Sequence, residues 1–233
     1  MTLIARGRDS DIFRLDQTRV LRRSRDGTSM EGEARVMDYV RNLGFPVPRV
    51  EEVLNEGTAM VMEYLEGPTM LATMSSAPAQ AGEWCERLAG LLGDLHEVPA
   101  PAWLRACPVG TGDRLLHLDL HPLNVIITST GPQVVDWANA ASGDPAVDCA
   151  LSWLLLACGG ERGQGLAEVM SLRQRELCLR GFAAAVEVDM GRALADVTRW
   201  KVQDRNINPA EQVAMRRFAN RHARQVKSPR APE

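Results

Sequence analysis

Three side chains in this 233-residue sequence carry oxygen donors at spacings that suit chemistry. In His117-Leu-Asp-Leu-His-Pro-Leu-Asn124, Asp119 and Asn124 flank a loop closed by Pro122. A hairpin later, Val134-Val-Asp136-Trp137 returns Asp136 beside Asn124. An amide next to a carboxylate suits Mg²⁺, a hard cation that takes few protein ligands and completes its shell with phosphate and water. A separate carboxylate can orient an attacking hydroxyl and accept its proton. Together the set reads as metal-assisted phosphoryl transfer, with the three side chains expected to converge on the ion. Turns and caps favour Asp and Asn in any protein. Three segments in this order and at these intervals go beyond turn chemistry.

A charged pair is expected earlier in the chain. In Arg19-Val-Leu-Arg-Arg23, strand alternation puts Val20 and Arg22 on one face and Leu21 and Arg23 on the other. Glu33 shares a helical face with the apolar Met37 and Val40. A carboxylate on a core-facing stripe needs a partner, because burying it alone is costly.

The elements that position these residues follow from periodicity and turn signals. Asp11–Leu15 and Arg19–Arg23 read as strands, and so do Val50–Leu54 and Ala59–Glu63 around the Asn55-Glu56-Gly57 turn. Between them a helix opens at Thr28, with Glu31 at capping-box spacing, and stops at Gly44. Gly67-Pro68 breaks the pattern, and the chain beyond is mostly helical. Helices are predicted from Pro78 to about Glu97, Pro145 to Cys158, about Gly165 to Val188, Ala193 to Lys201, and Pro209 to about His222. A β interlude holds Leu115–Leu118, Asn124–Thr128, a turn over Ser129–Pro132, and Gln133–Asp136. The predicted organisation is a β-rich domain over 1–65, a helical domain over 66–222, and a basic flexible tail over 223–233.

Composition narrows the class. With 45% hydrophobic and 24% charged residues the chain reads as globular rather than disordered or collagen-like. Its longest nearly apolar run, Ala150–Cys158, is far short of the roughly 20 residues that span a bilayer. The opening residues lack the apolar stretch of a secretion signal. Five cysteines without a Cys-x-x-Cys pair argue against disulfide frameworks and cysteine zinc sites, and point to a reducing cytoplasm. Net charge is -3, with residues 215–233 at about +5 and the remainder at about -8. That acidic remainder would repel a phosphate backbone, and Phe218 alone interleaves the C-terminal cations, so a nucleic-acid partner is not expected.

His-x-Asp-x-x-x-x-Asn over 117–124, the Asp136-Trp137 pair and Gly143-Asp-Pro-Ala-Val-Asp148 closely resemble the aminoglycoside phosphotransferase and choline kinase-like branch of the protein-kinase fold. The resemblance spans about Gly7 to Trp153 and is most specific from His117 to Asp148. It implies an α+β, two-lobed protein-kinase-like fold, with a small antiparallel sheet and one helix followed by a larger helical lobe. It implies an ATP- and Mg²⁺-dependent transfer of the γ-phosphate to a hydroxyl of a small molecule. The acceptor classes left open are aminoglycosides or other antibiotics, amino alcohols, sugars and nucleosides.

By the same resemblance Asp119 is the catalytic base, His117 anchors its loop, and His121 stands where many protein kinases have a lysine. Asn124 and Asp136 are the metal ligands, and Asp148 braces the loop backbone. Val20 faces the nucleotide, Arg22 grips the α/β-phosphates with Glu33 as its partner, and Ser10 touches phosphate. The backbone of Glu63 and Leu65 pairs with the adenine edge. Arginine replaces the usual lysine, Arg23 is the alternative grip, and Gly7 stands alone where protein kinases have three glycines. A nucleotide-binding pseudokinase or a protein-kinase-like regulator is the alternative activity. Trp200 with Asp204, Glu187 and Asp189 is a further candidate, for a cationic acceptor.

Overall fold

The computed structural model describes residues 1–7, 9–159 and 170–222. The chain divides into two compact units: Met1–Thr69 with Leu123–Ala140, and Met70–Pro122 with the described residues from Ala141 onward. The boundary predicted after residue 65 thus falls at Thr69, and Leu123–Ala140, expected in the second domain, groups with the first. Backbone bonds explain the grouping. Ile127 N donates to Pro68 O at 2.9 Å and Val134 N to Pro46 O at 2.8 Å, while the Trp137 ring sits edge-on to Phe45. The basic tail and the start of the helix predicted from Gly165 lie outside the described residues.

The first unit is built on an antiparallel sheet of β1 (Thr2–Arg6), β2 (Ser10–Arg14), β3 (Arg19–Ser24), β4 (Val50–Leu54) and β5 (Ala59–Glu63), in the order β1-β2-β3-β5-β4. Helix α1 (Glu31–Asn42) turns Ala34, Val36, Met37 and Val40 inward. It starts two residues later than predicted, with Met30 rather than Thr28 at the N-cap, and the Thr28 capping box is not formed. Thr28 N instead donates to the Asp26 carboxylate, closing a local turn. The helix start is fixed by Met30 N donating to Gly57 O and by Ser29 Oγ accepting from Glu31 N. In the second part of the unit β7 (Val125–Thr128) and β8 (Gly131–Val134) form a two-stranded ribbon. Gly67 lies so close to this ribbon that a Cβ there would stand 2.0 Å from Ile127 O.

The second unit contains α2 (Met70–Ser76), a 3-10 turn over Pro78–Gln80, and α3 (Ala81–His96). Strands β6 (Arg114–Leu116) and β9 (Ala141–Gly143) pair antiparallel. Helices α4 (Pro145–Cys158), α5 (Leu172–Ala185), α6 (Gly191–Lys201) and α7 (Pro209–His222) follow. Helix α4 is buried nearly all round, packed by α3, α5, α6 and α7, which explains its almost unbroken apolar sequence. Helices α3 and α5 cross so closely that a Cβ on Gly181 would meet Gly82 O at 2.4 Å. All five cysteines are buried and free. No described helix is long and apolar enough to cross a membrane.

Candidate active site

The first unit gathers charges from three elements onto one cation. Strand β3 buries Val20 and, two residues on, turns Arg22 to the same side. Helix α1 brings the buried Glu33 to it, and the segment after β8 brings Asp136. Arg22 Nη1 donates to Glu33 Oε1, Nη2 to Asp136 Oδ1 at 3.0 Å, and Nε to Ser10 Oγ at 3.0 Å. Trp137 N also donates to Glu33 Oε1, at 3.0 Å, so one carboxylate oxygen joins α1 to both β3 and the chain after β8. Burial opposes the Arg22 charge, but Glu33 and Asp136 outweigh it and raise the guanidinium above its ordinary value. Burial, with the Asp136 charge beside it, pushes the Glu33 carboxyl up although Arg22 pulls the other way. Arg23 points elsewhere, over the Phe13 ring at 4.7 Å. Of the two arginines, Arg22 is the one inside the cluster.

Asn124 and Asp136 are brought together by the ribbon, since Val135 N donates to Asn124 O at 3.0 Å and Asp136 follows directly. Asp136 takes φ 68°, a left-handed conformation that Asp tolerates better than most residues, and this ends β8 two residues before its predicted limit. The donor chemistry fits magnesium. One amide and one carboxylate supply two hard oxygens, and Arg22 between two carboxylates leaves one negative charge in excess. No group of three or more His, Cys, Asp or Glu side chains suited to a metal occurs among the described residues. A cation here would therefore need phosphate and water to complete its shell.

Ser10 is buried with its oxygen bonded to Arg22, so its first role is to hold that cation. Glu63 N donates to Arg49 O at 2.8 Å, and Glu63 Oε2 accepts from Arg49 N at 3.0 Å. The Glu63 N–H is thereby committed to the sheet. Leu65 is partly exposed, just past the end of β5. Met60 and Met62 are buried core residues.

In the second unit the loop after β6 is braced from below by Asp148. This wholly buried carboxylate accepts from His117 N at 2.8 Å and Leu118 N at 2.9 Å, and its Oδ2 lies 3.2 Å from His96 Nε2. Burial would raise the Asp148 carboxyl, but the hydrogen bond and charge of His96, with His117, hold it below the ordinary carboxylate range. The two adjacent backbone bonds secure Leu118 at φ 59°, a conformation costly for leucine, and end β6 before its predicted limit. Asp119 follows at once, partly exposed, and His117 is fully buried as expected of an anchor. His121 Nε2 stands 4.0 Å from Asp119 Oδ2.

Two residues here were not foreseen. His96, at the end of α3, completes the surroundings of Asp148. Lys201, the last residue of α6, is buried with Nζ 4.0 Å from Asp119 Oδ1 and 3.0 Å from Asp204 Oδ2. The cationic-acceptor reading of Trp200, Asp204, Glu187 and Asp189 loses its central acid, because Asp204 is already bonded to Lys201. Asp189 instead accepts from Gly191 N at the start of α6. Trp200 does line an open hollow of about 400 Å³ with Val109, Asp196, Arg199 and Gln203, but Asp196 and Arg199 bond each other.

Known proteins resemble this chain in sequence and in fold. Streptomycin 6-kinase from Streptomyces griseus is 29% identical over 64% of this chain and 60% of its own length. Thiamine kinase from Salmonella newport (strain SL254) is 25% identical over 60% of this chain and 54% of its own length. The chain thus spans little more than half the length of these relatives. Among solved structures, the gentamicin complex of APH(2")-IIa superposes with a TM-score of 0.62 at 14% identity, covering 97% of this chain and 91% of that one. Choline kinase LicA from Streptococcus pneumoniae gives 0.59 at 14% identity, covering 96% and 92%. Both likenesses establish an α+β, protein-kinase-like fold. The APH family, described as the phosphotransferase enzyme family, matches over residues 1–108 and 100–177. On that match, the chain belongs to the phosphotransferase enzyme family.

Proposed function

We propose that this protein transfers the γ-phosphoryl group of ATP to a hydroxyl of a small molecule, with Mg²⁺ as the required ion. One observation carries the reading: the largely enclosed Arg22 is strung between the buried Glu33 and the partly exposed Asp136, carboxylates from two further elements. Enclosing the Arg22 and Glu33 charges costs more than packing apolar residues of the same volume, so a fold has little structural reason to keep them. A site that must bind polyphosphate and a divalent cation does.

In this reading Arg22 binds the α/β-phosphates while Glu33 and Ser10 orient it. Glu63 meets the adenine edge through its carbonyl, its N–H being used within the sheet. Asn124 and Asp136 would hold Mg²⁺, and the ion would supply charge neutralisation at the phosphates. Asp119 aligns the acceptor hydroxyl. The acceptor oxygen bonds to the γ-phosphorus as the bond to the β-γ bridging oxygen breaks, ADP leaves, and the hydroxyl proton passes to Asp119. The Asp148 brace keeps that carboxylate on a fixed backbone.

The relatives named for streptomycin and thiamine make these two compounds the first acceptors to try, followed by choline, gentamicin, sugars and nucleosides. The test is ATP consumption with each acceptor, with and without Mg²⁺, using Asp119→Asn as the blank. Acceptor-dependent ADP release and a phosphorylated product in the wild type alone are expected. Equal ADP release by wild type and Asp119→Asn with every acceptor would overturn the proposal.

A further inference from the structure

The chain has 27 lysines and arginines, and only two of them, Lys201 and Lys227, are lysine. Every other cation in the sequence is arginine, including the one that grips Glu33 and Asp136. Lys201 is also buried, with its stem enclosed and its ammonium turned toward two carboxylates, Asp204 at 3.0 Å and Asp119 at 4.0 Å. An enclosed ammonium without such partners would be costly. Asp204 is only three residues on and moves with the end of α6, whereas Asp119 lies on the loop after β6. His121, at the loop position where many protein kinases carry a lysine, also stands 4.0 Å from Asp119 through its Nε2.

We propose that Lys201 is the positioning residue for Asp119: the end of α6 supplies the ammonium that this catalytic loop lacks, and Asp204 holds that ammonium in place. The proposal rests on Asp119 being the base of the phosphoryl transfer above. A compact ammonium suits the role better than guanidinium. It attracts the carboxylate as a point charge without the two-pronged fork that would occupy both oxygens and block proton uptake. The rival account is that Lys201 and Asp204 form a stabilising pair between neighbours three residues apart, with Asp119 a bystander.

Two measurements separate these accounts. Protein labelled with ¹⁵N-lysine has two side-chain ammonium signals, Lys227 serving as the internal reference. Asp119→Asn should shift the Lys201 Nζ signal and speed its hydrogen exchange; an unmoved signal overturns the proposal, whether or not an acceptor is known. In turnover assays with streptomycin, thiamine, or water as the acceptor of the phosphoryl group, Lys201→Met should lower kcat about tenfold while the KM for ATP stays within about twofold. Lys201→Arg should recover part of that loss, and Asp204→Asn, which keeps an oxygen to hold the ammonium but not the charge, should lower kcat by less, about threefold. Equal losses for Lys201→Met and Asp204→Asn would overturn the proposal in favour of the structural pair. A shifted lysine signal in a protein that consumes no ATP would leave the ion pair standing and refute the phosphotransferase reading instead.

Discussion

The two units hold their key groups by opposite means. In the first unit, Arg22 is fixed by attraction among charges drawn from β3, α1 and the segment after β8, and one oxygen of Glu33 serves two of these elements. In the second unit, the loop bearing Asp119 is fixed by backbone: Asp148 takes the two successive N–H groups of His117 and Leu118, just before Asp119. Charges that hold one another can be redistributed when phosphate and a cation enter. Backbone held by a buried carboxylate cannot. On the proposed function, the contrast suits a phosphate-donor unit that must exchange ligands and a loop that must present one oxygen to each acceptor in turn.

The largest expected effect breaks the loop half at its reacting atom. Asp119→Asn should reduce kcat by about 10²–10⁴ with thermal stability nearly unchanged, measured by ATP turnover and calorimetry. Breaking the brace instead should invert that pattern. Asp148→Ala leaves two buried N–H groups and His96 without their carboxylate, and should cost about 3–5 kcal/mol of stability in urea unfolding. In the donor half, Glu33→Gln should weaken Mg-ATP affinity about tenfold, or about 1.4 kcal/mol, by calorimetry, because Arg22 then leans wholly on Asp136.

The two buried carboxylates also sharpen the comparison through pH. Asp148 sits below its unfolded value, so its contribution is complete above the ordinary carboxylate range and is lost as pH falls through the folded value. Glu33 sits above its unfolded value, so its ionisation costs the folded state stability as pH rises through that region. Urea midpoints across acid pH should show Glu33→Gln removing a loss on the rising side and Asp148→Asn removing a gain. The smallest effect is expected at Arg23→Ala, which gives up a ring contact worth about 0.5–1 kcal/mol and leaves turnover unaltered.

Much of this was legible in the sequence where local rules suffice. Alternation along Arg19–Arg23 separated Arg22 from Arg23, and the helical stripe of Glu33 with Met37 and Val40 placed a carboxylate inside. Helices α4 and α7 begin where Pro145 and Pro209 stand, as proline at a first helical turn allows. The failures have tertiary causes. Thr28 carried a capping pattern, but docking of Met30 onto Gly57 set the start of α1 instead. Strand β1 has all five residues exposed at the edge of the sheet, and β9 is three small residues, Ala-Ser-Gly, so the first has no buried face and the second no apolar alternation to read. The backbone conformations of Leu118 and Asp136 cut β6 and β8 short, which periodicity cannot register. Lys201 meets Asp119 from 82 positions away in the chain. Its rarity as a lysine was the one available hint.

Gly67 carries a last consequence. Its missing side chain lets the strip after β5 lie directly on β7, and Ile127 N locks it there through Pro68 O. On the proposed function, the backbone at Glu63 that would meet the purine and the pair Asn124 and Asp136 that would hold the ion are therefore built into one gauge. A nucleotide would be measured along its length, base to terminal phosphate, and Gly67→Ala would spoil the calibration without touching any residue that contacts it.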